Sequence, residues 1–268
     1  GEIQSSEGTT QGDPLAMAAY GVGITPLFPL IRQNSNTKHA AFADDLAGAQ
    51  KLADLRQWWD NINLFGPLLG YYPKASKSWL VVKREKHAEA AQIFAGTNIN
   101  ITTDGRKYLG GFIGTGEGKT QYARELVAKW VNQLNILSDI ARSEPQAAYA
   151  AFITGFQHRL NYHIRTIPSM SEFLKPLDDV INSKFTPAIT DGHICSTEER
   201  ELLSLPVKLG GLAITIFTRR AEREFSNSVK TCAQRVSNIK QQTERYVFDD
   251  TLANTTRHEI VKNYKTKD

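Results

Sequence analysis

Two adjacent carboxylates, Asp44 and Asp45, interrupt an otherwise apolar run, His39-Ala-Ala-Phe-Ala-Asp-Asp-Leu-Ala-Gly48. In a strand–turn–strand, neighbouring carboxylates stay ionised together only if a cation, or solvent at the turn, offsets desolvation and mutual repulsion. A divalent ion meets that need. Mg2+ takes hard oxygen ligands, keeps part of its water shell, and is held by one or two carboxylates together with substrate phosphates. Taken alone, the pair reads first as a solvated hairpin turn, because Asp is a common turn residue, and its neighbours bring in the metal reading.

The elements around the pair follow from periodicity and punctuation. Asp13-Pro14 suits a helix start, with Asp13 as N-cap rather than metal ligand, and the helix runs through Leu15, Ala18, Ala19 and Val22 towards Pro26. Lys38 to Gly48 reads as strand, tight turn, strand. Leu52, Leu55, Trp58, Trp59, Ile62 and Phe65 recur at helical spacing and predict an amphipathic helix over 50–66, ended by Pro67 and Gly70. Residues 77–83 read as a strand, 84–95 as a short helix, and Asn98-Ile-Asn-Ile-Thr102 and Tyr108-Leu-Gly-Gly-Phe-Ile-Gly114 as two further strands.

Beyond about residue 118 the pattern becomes helical. Tyr122, Leu126, Trp130, Leu134, Leu137 and Ile140 form a stripe. Ser143-Glu-Pro-Gln146 and Ser196-Thr-Glu-Glu199 are capping-box candidates. Residues 218–242 predict a charged helix, and the last 25 or so a loosely held tail. The expected fold class is α+β, an antiparallel sheet with packed helices followed by a mostly helical region. Its expected parts are 1–116, 117–190 and 191–268.

Four blocks stand in order along the first part: Gln11-Gly12-Asp13-Pro14 before a helix, Phe42-Ala43-Asp44-Asp45, Gly70-Tyr-Tyr-Pro-Lys-Ala-Ser-Lys77-Ser-Trp79, and Tyr108-Leu109-Gly110-Gly111. Together they resemble the successive palm motifs of retroelement reverse transcriptases. Leu205-Pro206-Val-Lys-Leu-Gly210-Gly211-Leu212 resembles a segment found downstream of that polymerase core in some retroelement proteins. The resemblance implies a partial polymerase palm over 1–116, a thumb-like region over 117–190 and a helical C-terminal extension over 191–268.

By the same resemblance, Asp44 and Asp45 match the catalytic, metal-binding aspartates, Asp45 supporting the metal less directly. Gln11 and Gly12 match the element that packs against incoming nucleotide and template. Lys77 matches a catalytic lysine near the triphosphate, where a cation could stabilise the leaving pyrophosphate. Tyr108, Leu109 and Gly110 match the primer grip. The implied cofactor is Mg2+ or Mn2+, and the implied partners are an RNA template, a DNA primer and deoxynucleoside triphosphates. Two-metal nucleotidyl transfer holds its ions about 3.5–4 Å apart, so its carboxylates must come from separate strands.

The family's first catalytic aspartate lies on a strand upstream of the Gln-Gly motif, whereas the acids before Asp13 are Glu2 and Glu7, neither in a strand-like context. The chain opens inside a motif, and the expectation is a C-terminal fragment of a polymerase whose N-terminal half is missing. The alternative is a non-catalytic, domesticated or truncated palm–thumb module that binds nucleic acid or a protein partner. A metal-independent helical scaffold is a third reading.

Other patterns carry less. Gly114-Thr-Gly-Glu-Gly118-Lys119-Thr120 resembles a phosphate-binding loop, but the motif needs glycine where Ile113 stands, so the glycines read as a turn leaving a hairpin. Gly21-Val-Gly23 lacks a third glycine and reads as close packing within a helix. Trp58 and Trp59 read as core. Lys119, Arg124 and Lys129 could track a phosphate backbone or form a solvated face. Cys195 and Cys232 have no Cys or His at ligand spacing, and no histidine shows a metal-binding pattern.

Of 268 residues 41% are hydrophobic, ample for a core. The net charge of +4 is concentrated late: residues 218–268 hold 11 Lys/Arg against 7 Asp/Glu, and the preceding 217 hold 21 against 21. A bulk basic footprint is therefore absent from the body, and nucleic-acid binding would depend on local sites. With no long apolar run and no signal-like start, the expectation is an intracellular protein of the cytoplasm or nucleus, neither membrane-bound nor secreted.

Overall fold

In the computed structural model, which describes residues 13–242 and 248–265, the chain divides into two units. One comprises 1–103 with 235–247, the other 104–234 with 248–268.

In the first unit, α1 (Ala16–Ile24) follows a turn in which the Asp13 carboxylate accepts from the Leu15 amide at 2.8 Å. α2 (Leu27–Ile31) buries Leu27 and Ile31, which join Ile24, Trp58 and Ile62 in one apolar cluster. β1 (Lys38–Phe42) and β2 (Asp45–Ala49) form an antiparallel hairpin. α3 (Leu52–Phe65) lies within the predicted range and serves two clusters. Trp58 and Ile62 face the first, while Leu52, Leu55 and Trp59 pack with Leu80, Ala90 and Phe94. Both tryptophans are thus core residues.

β3 (Trp79–Val81) pairs in parallel with β4 (Asn100–Thr102), and α4 (His87–Ile93) lies between them in sequence. The expectation of an antiparallel sheet is corrected here. The described strands form three separate two-stranded ladders, one of them parallel, because a helical crossover returns the chain in the same direction.

The second unit starts with an antiparallel hairpin, β5 (Gly105–Tyr108) and β6 (Gly111–Gly114). Tyr108–Gly114 is therefore not one strand, since a turn at Leu109-Gly110 divides it. The 26-residue α5 (Gly116–Ala141) is capped by Thr115, whose Oγ1 accepts from the Gly118 amide at 3.0 Å. Its stripe, Ala123, Val127, Trp130 and Leu134, faces the main core.

α6 (Pro145–Ala151), α7 (Gln157–Arg159), α8 (Asn161–Thr166), α9 (Lys175–Val180), α10 (Thr186–Ile189) and α11 (Thr197–Ser204) follow, then α12 (Phe217–Gln241) and α13 (Asp250–Lys265). Two wide π turns, Phe152–Phe156 and Ile181–Phe185, bring the Phe152 and Phe185 rings to 4.7 Å.

Several local expectations change. The capping box at Ser143 does not form, because Ser143 Oγ donates to the Ile140 carbonyl of the preceding helix and Pro145 opens α6. The box at Ser196 does form, with Glu199 as its reciprocal partner. Residues 250–265 are helical, not a tail. A Cβ added at Gly21 or Gly23 would meet nothing within 4 Å, so close packing does not explain those glycines.

The hairpin placed by sequence in the first part falls in the second unit, and Phe217 and Ala221 share the α5 core across the expected break at 190/191. Among the described residues no helix is long and apolar enough to cross a membrane.

Candidate functional site

β1 and β2 pair from Lys38 with Ala49 to Phe42 with Asp45, leaving Ala43 and Asp44 as the whole turn. Of these two only Ala43 has positive φ, +52°. That is the φ pattern of a type II′ hairpin turn, whose first central position normally belongs to glycine. A β-carbon there costs on the order of 1 kcal/mol. Asp44 occupies the apex and Asp45 the first rung, both exposed.

Two tyrosines attend the turn. The Tyr71 hydroxyl donates to the Asp44 carbonyl at 3.1 Å. Burial, then Tyr20 and the charges of Asp44 and Asp45, push that hydroxyl up to about 12. Burial and Asp44 also raise Tyr20. Tyr71 therefore remains a protonated donor beside the carboxylates rather than an anion competing with them for a cation.

Local backbone explains its position. Gly70 turns the chain at φ +75°, the Tyr71 amide donates to the Gly66 carbonyl at 2.9 Å, and a Cβ at Gly66 would lie 2.5 Å from the Tyr71 carbonyl oxygen. On the hairpin, a Cβ at Gly48 would lie 2.9 Å from both Thr37 and the Trp58 ring, so glycine lets the strand settle on that tryptophan. At the β1 edge, the Gln242 side chain accepts from the His39 amide at 3.0 Å and donates to its carbonyl at 2.9 Å. It thereby occupies hydrogen-bonding groups that an edge strand leaves open.

Lys77 ends a 3-10 turn, Ala75–Lys77, ahead of β3 and is exposed. Among the described residues no hydrogen bond or ion pair joins it to Asp44 or Asp45. Gln11 and Gly12 lie outside the described residues.

Tyr108, Leu109 and Gly110 belong to the other unit, at the β5–β6 turn. Leu109 (φ +46°) and Gly110 (φ +78°) are its two central residues, both with the positive φ of a type I′ turn. The turn is clamped from outside its own hairpin. The Tyr162 hydroxyl donates to the Leu109 carbonyl, and the Tyr122 hydroxyl donates to the Gly110 carbonyl at 3.1 Å. A Cβ at Gly110 would strike Tyr162 at 2.7 Å, so glycine is required there for both conformation and space. Burial raises the Tyr122 pKa, with Tyr162 adding to it. Arg106 and Lys107 are exposed on the adjoining strand.

The residues at the first turn fit a hard divalent ion. Two exposed carboxylates supply oxygen donors while solvent and phosphates can complete the shell. Among the described residues, no third His, Cys, Asp or Glu converges with them; the one such triple lies elsewhere, at His193, Cys195 and Glu199. Sequence patterning offered no metal role for any histidine or cysteine; the fold gathers His193 and Cys195, two positions apart, beside Glu199.

Of the glycines in the phosphate-loop-like segment, Gly114 and Gly118 serve packing, while a Cβ at Gly116 would meet nothing within 4 Å. A Cβ at Gly114 would lie 2.4 Å from the Asp104 carbonyl, and one at Gly118 would lie 2.8 Å from Phe112. On α5, Arg124 and Lys129 are exposed, while Lys119 Nζ reaches the Pro168 carbonyl at 3.5 Å.

Sequence reading gave no site role to Tyr20, Tyr71 or Tyr162 and placed Tyr122 only in the apolar stripe of α5. Tyr71 stands beside Gly70, a usable local signal. The other three act on partners 12 to 53 positions away or through space. No family model, curated protein or solved structure matches the chain.

Proposed function

We propose that this chain is the rear part of the palm and the thumb-like region of a retroelement reverse transcriptase, an RNA-directed DNA polymerase. The observation that carries this reading is the two-residue turn exposing Asp44 at its apex, braced by the Tyr71 hydroxyl, which donates to the Asp44 carbonyl. Mg2+ or Mn2+, when bound, would supply Lewis-acid stabilisation to the reacting phosphate. The chain's own contribution is to hold Asp44 rigidly at that ion, with Asp45 behind it, and to offer the Lys77 cation to departing phosphate. The clamped β5–β6 turn, with exposed Arg106 and Lys107, would support the primer strand.

One observation favours the second reading, a non-catalytic module binding nucleic acid: among the described residues no third carboxylate joins Asp44 and Asp45. Both readings are separated by primer extension on an RNA template with Mg2+ and deoxynucleotides. The assay compares the chain, the chain joined to its upstream polymerase segment, and the joined form carrying Asp44→Ala. The polymerase reading expects extension from the joined form and a loss of roughly a hundredfold or more on Asp44→Ala. Unchanged extension by Asp44→Ala would sink it. Primer–template binding by every form, without extension and without need for Mg2+, would select the non-catalytic module.

A further inference from the structure

The loop between α10 and α11 reverses through Asp191 (φ +53°) and Gly192 (φ +83°), two consecutive left-handed residues. The Gly192 amide donates to the Pro187 carbonyl at 2.8 Å and the His193 amide to the Thr190 carbonyl at 3.2 Å. His193 is thereby folded back onto the first turn of α11. There Glu199 Oε2 accepts from the Ser196 amide at 2.8 Å and lies 3.0 Å from His193 Nε2. Cys195, half-buried, immediately precedes the capping serine. The imidazole nitrogen, the thiol sulfur and the carboxylate oxygen all lie within 4.8 Å of one another.

We propose that His193, Cys195 and Glu199 form a binding site for a borderline-soft divalent cation of the zinc class. Metal–ligand distances of about 2.0–2.3 Å in a tetrahedron set ligand–ligand separations of roughly 3.3–3.8 Å, so closing this cluster takes about an ångström of side-chain movement. A thiolate with an imidazole selects zinc-like ions over Mg2+ or Ca2+, which prefer all-oxygen shells.

Charge supports the assignment. A thiolate and the Glu199 carboxylate neutralise a doubly charged ion, offsetting the unfavourable positive end of α11. The neighbouring arginines are engaged elsewhere. Arg200 donates to Asn182 and to the Ile214 and Thr215 carbonyls, and Arg219 pairs with Glu201. Three protein ligands leave a fourth position for water. On binding, the Cys195 thiol gives its proton to solvent as the metal–sulfur bond forms. The ion then ties the 190–195 loop to α11, independently of any polymerase activity.

The test titrates the reduced chain with Zn2+, and with Co2+ as a spectroscopic probe. Expected are equimolar binding, a cobalt–thiolate charge-transfer absorption, and a Tm rise with Zn2+ that Cys195→Ser loses. Cys195→Ser should abolish the absorption, and His193→Ala should weaken Zn2+ binding by about tenfold or more. Glu199→Gln should weaken it similarly while leaving helicity unchanged, because glutamine still completes the capping box. That variant separates a lost ligand from a lost helix. Cys232→Ser, on the exposed cysteine of α12, should change nothing. A cobalt–thiolate band that is absent, or that survives Cys195→Ser, or Zn2+ affinity unchanged in His193→Ala or Glu199→Gln, would overturn the site.

Discussion

Ala43 occupies a position that glycine fills more cheaply, and the cost is borne next to the residue that would do the chemistry. At φ +52° its β-carbon is strained. Replacing it by glycine removes that strain but adds conformational freedom to the unfolded chain, so the two effects nearly cancel. Ala43→Gly is expected to shift stability by no more than about 1 kcal/mol in either direction. Ala43→Val, β-branched at positive φ, is expected to destabilise by more than about 1 kcal/mol. Urea unfolding of the two variants checks the ordering; a valine variant as stable as the alanine parent would mean that the turn is not held in this conformation. At this scale the sequence was legible where chemistry is contiguous. Phe42-Ala43-Asp44-Asp45 announces a turn that exposes a carboxylate. The tyrosine bracing it from position 71 is set by tertiary approach, and residue type alone does not encode that.

Helix ends show why some elements were readable and others were not. The Ser196 box has its partner three residues on, and the Ser196 Oγ accepts from the Glu199 amide at 3.2 Å. Ser143 has the same spacing to Gln146, but the Ile140 carbonyl takes its hydroxyl. α3 and α5 declare themselves through apolar stripes, whereas the π turns at Phe152–Phe156 and Ile181–Phe185 depend on how Phe152 and Phe185 meet in the core. The start of α12 is capped from a distant helix. Asp178 on α9, buried, accepts from the Phe217 and Thr218 amides at 2.9 and 3.0 Å and from the Thr218 hydroxyl at 2.8 Å. Asp178→Ala leaves those amides without an acceptor in a buried place and is expected to cost about 2–3 kcal/mol. Asp178→Asn, which keeps one acceptor oxygen, should cost less. Equal losses in thermal unfolding would show that packing at this position, rather than the cap, holds α12.

Across the whole molecule, each unit contains one half-buried histidine with a depressed pKa. His39 in the first is lowered by burial and then by the Arg32 charge. His163 in the second is lowered chiefly by burial, with Lys107 adding to it and a backbone hydrogen bond to Arg159 partly opposing. In both units the unfolded chain therefore binds more protons than the folded one between the lowered value and the ordinary 6.5. Stability should be fully present above that ordinary value and decline as pH falls through it towards the lowered ones. Carboxylates titrate further down, so the interval between about pH 7.5 and 5 isolates the imidazoles. The urea midpoint is expected to fall over that interval in the parent chain. It should fall less in His39→Gln or His163→Gln, and least when both are replaced, because glutamine gains no charge on acidification. The two single effects should add, since the histidines belong to different units and are lowered by different cations, Arg32 and Lys107. An acid limb equally steep in the double variant would assign the proton uptake to other groups.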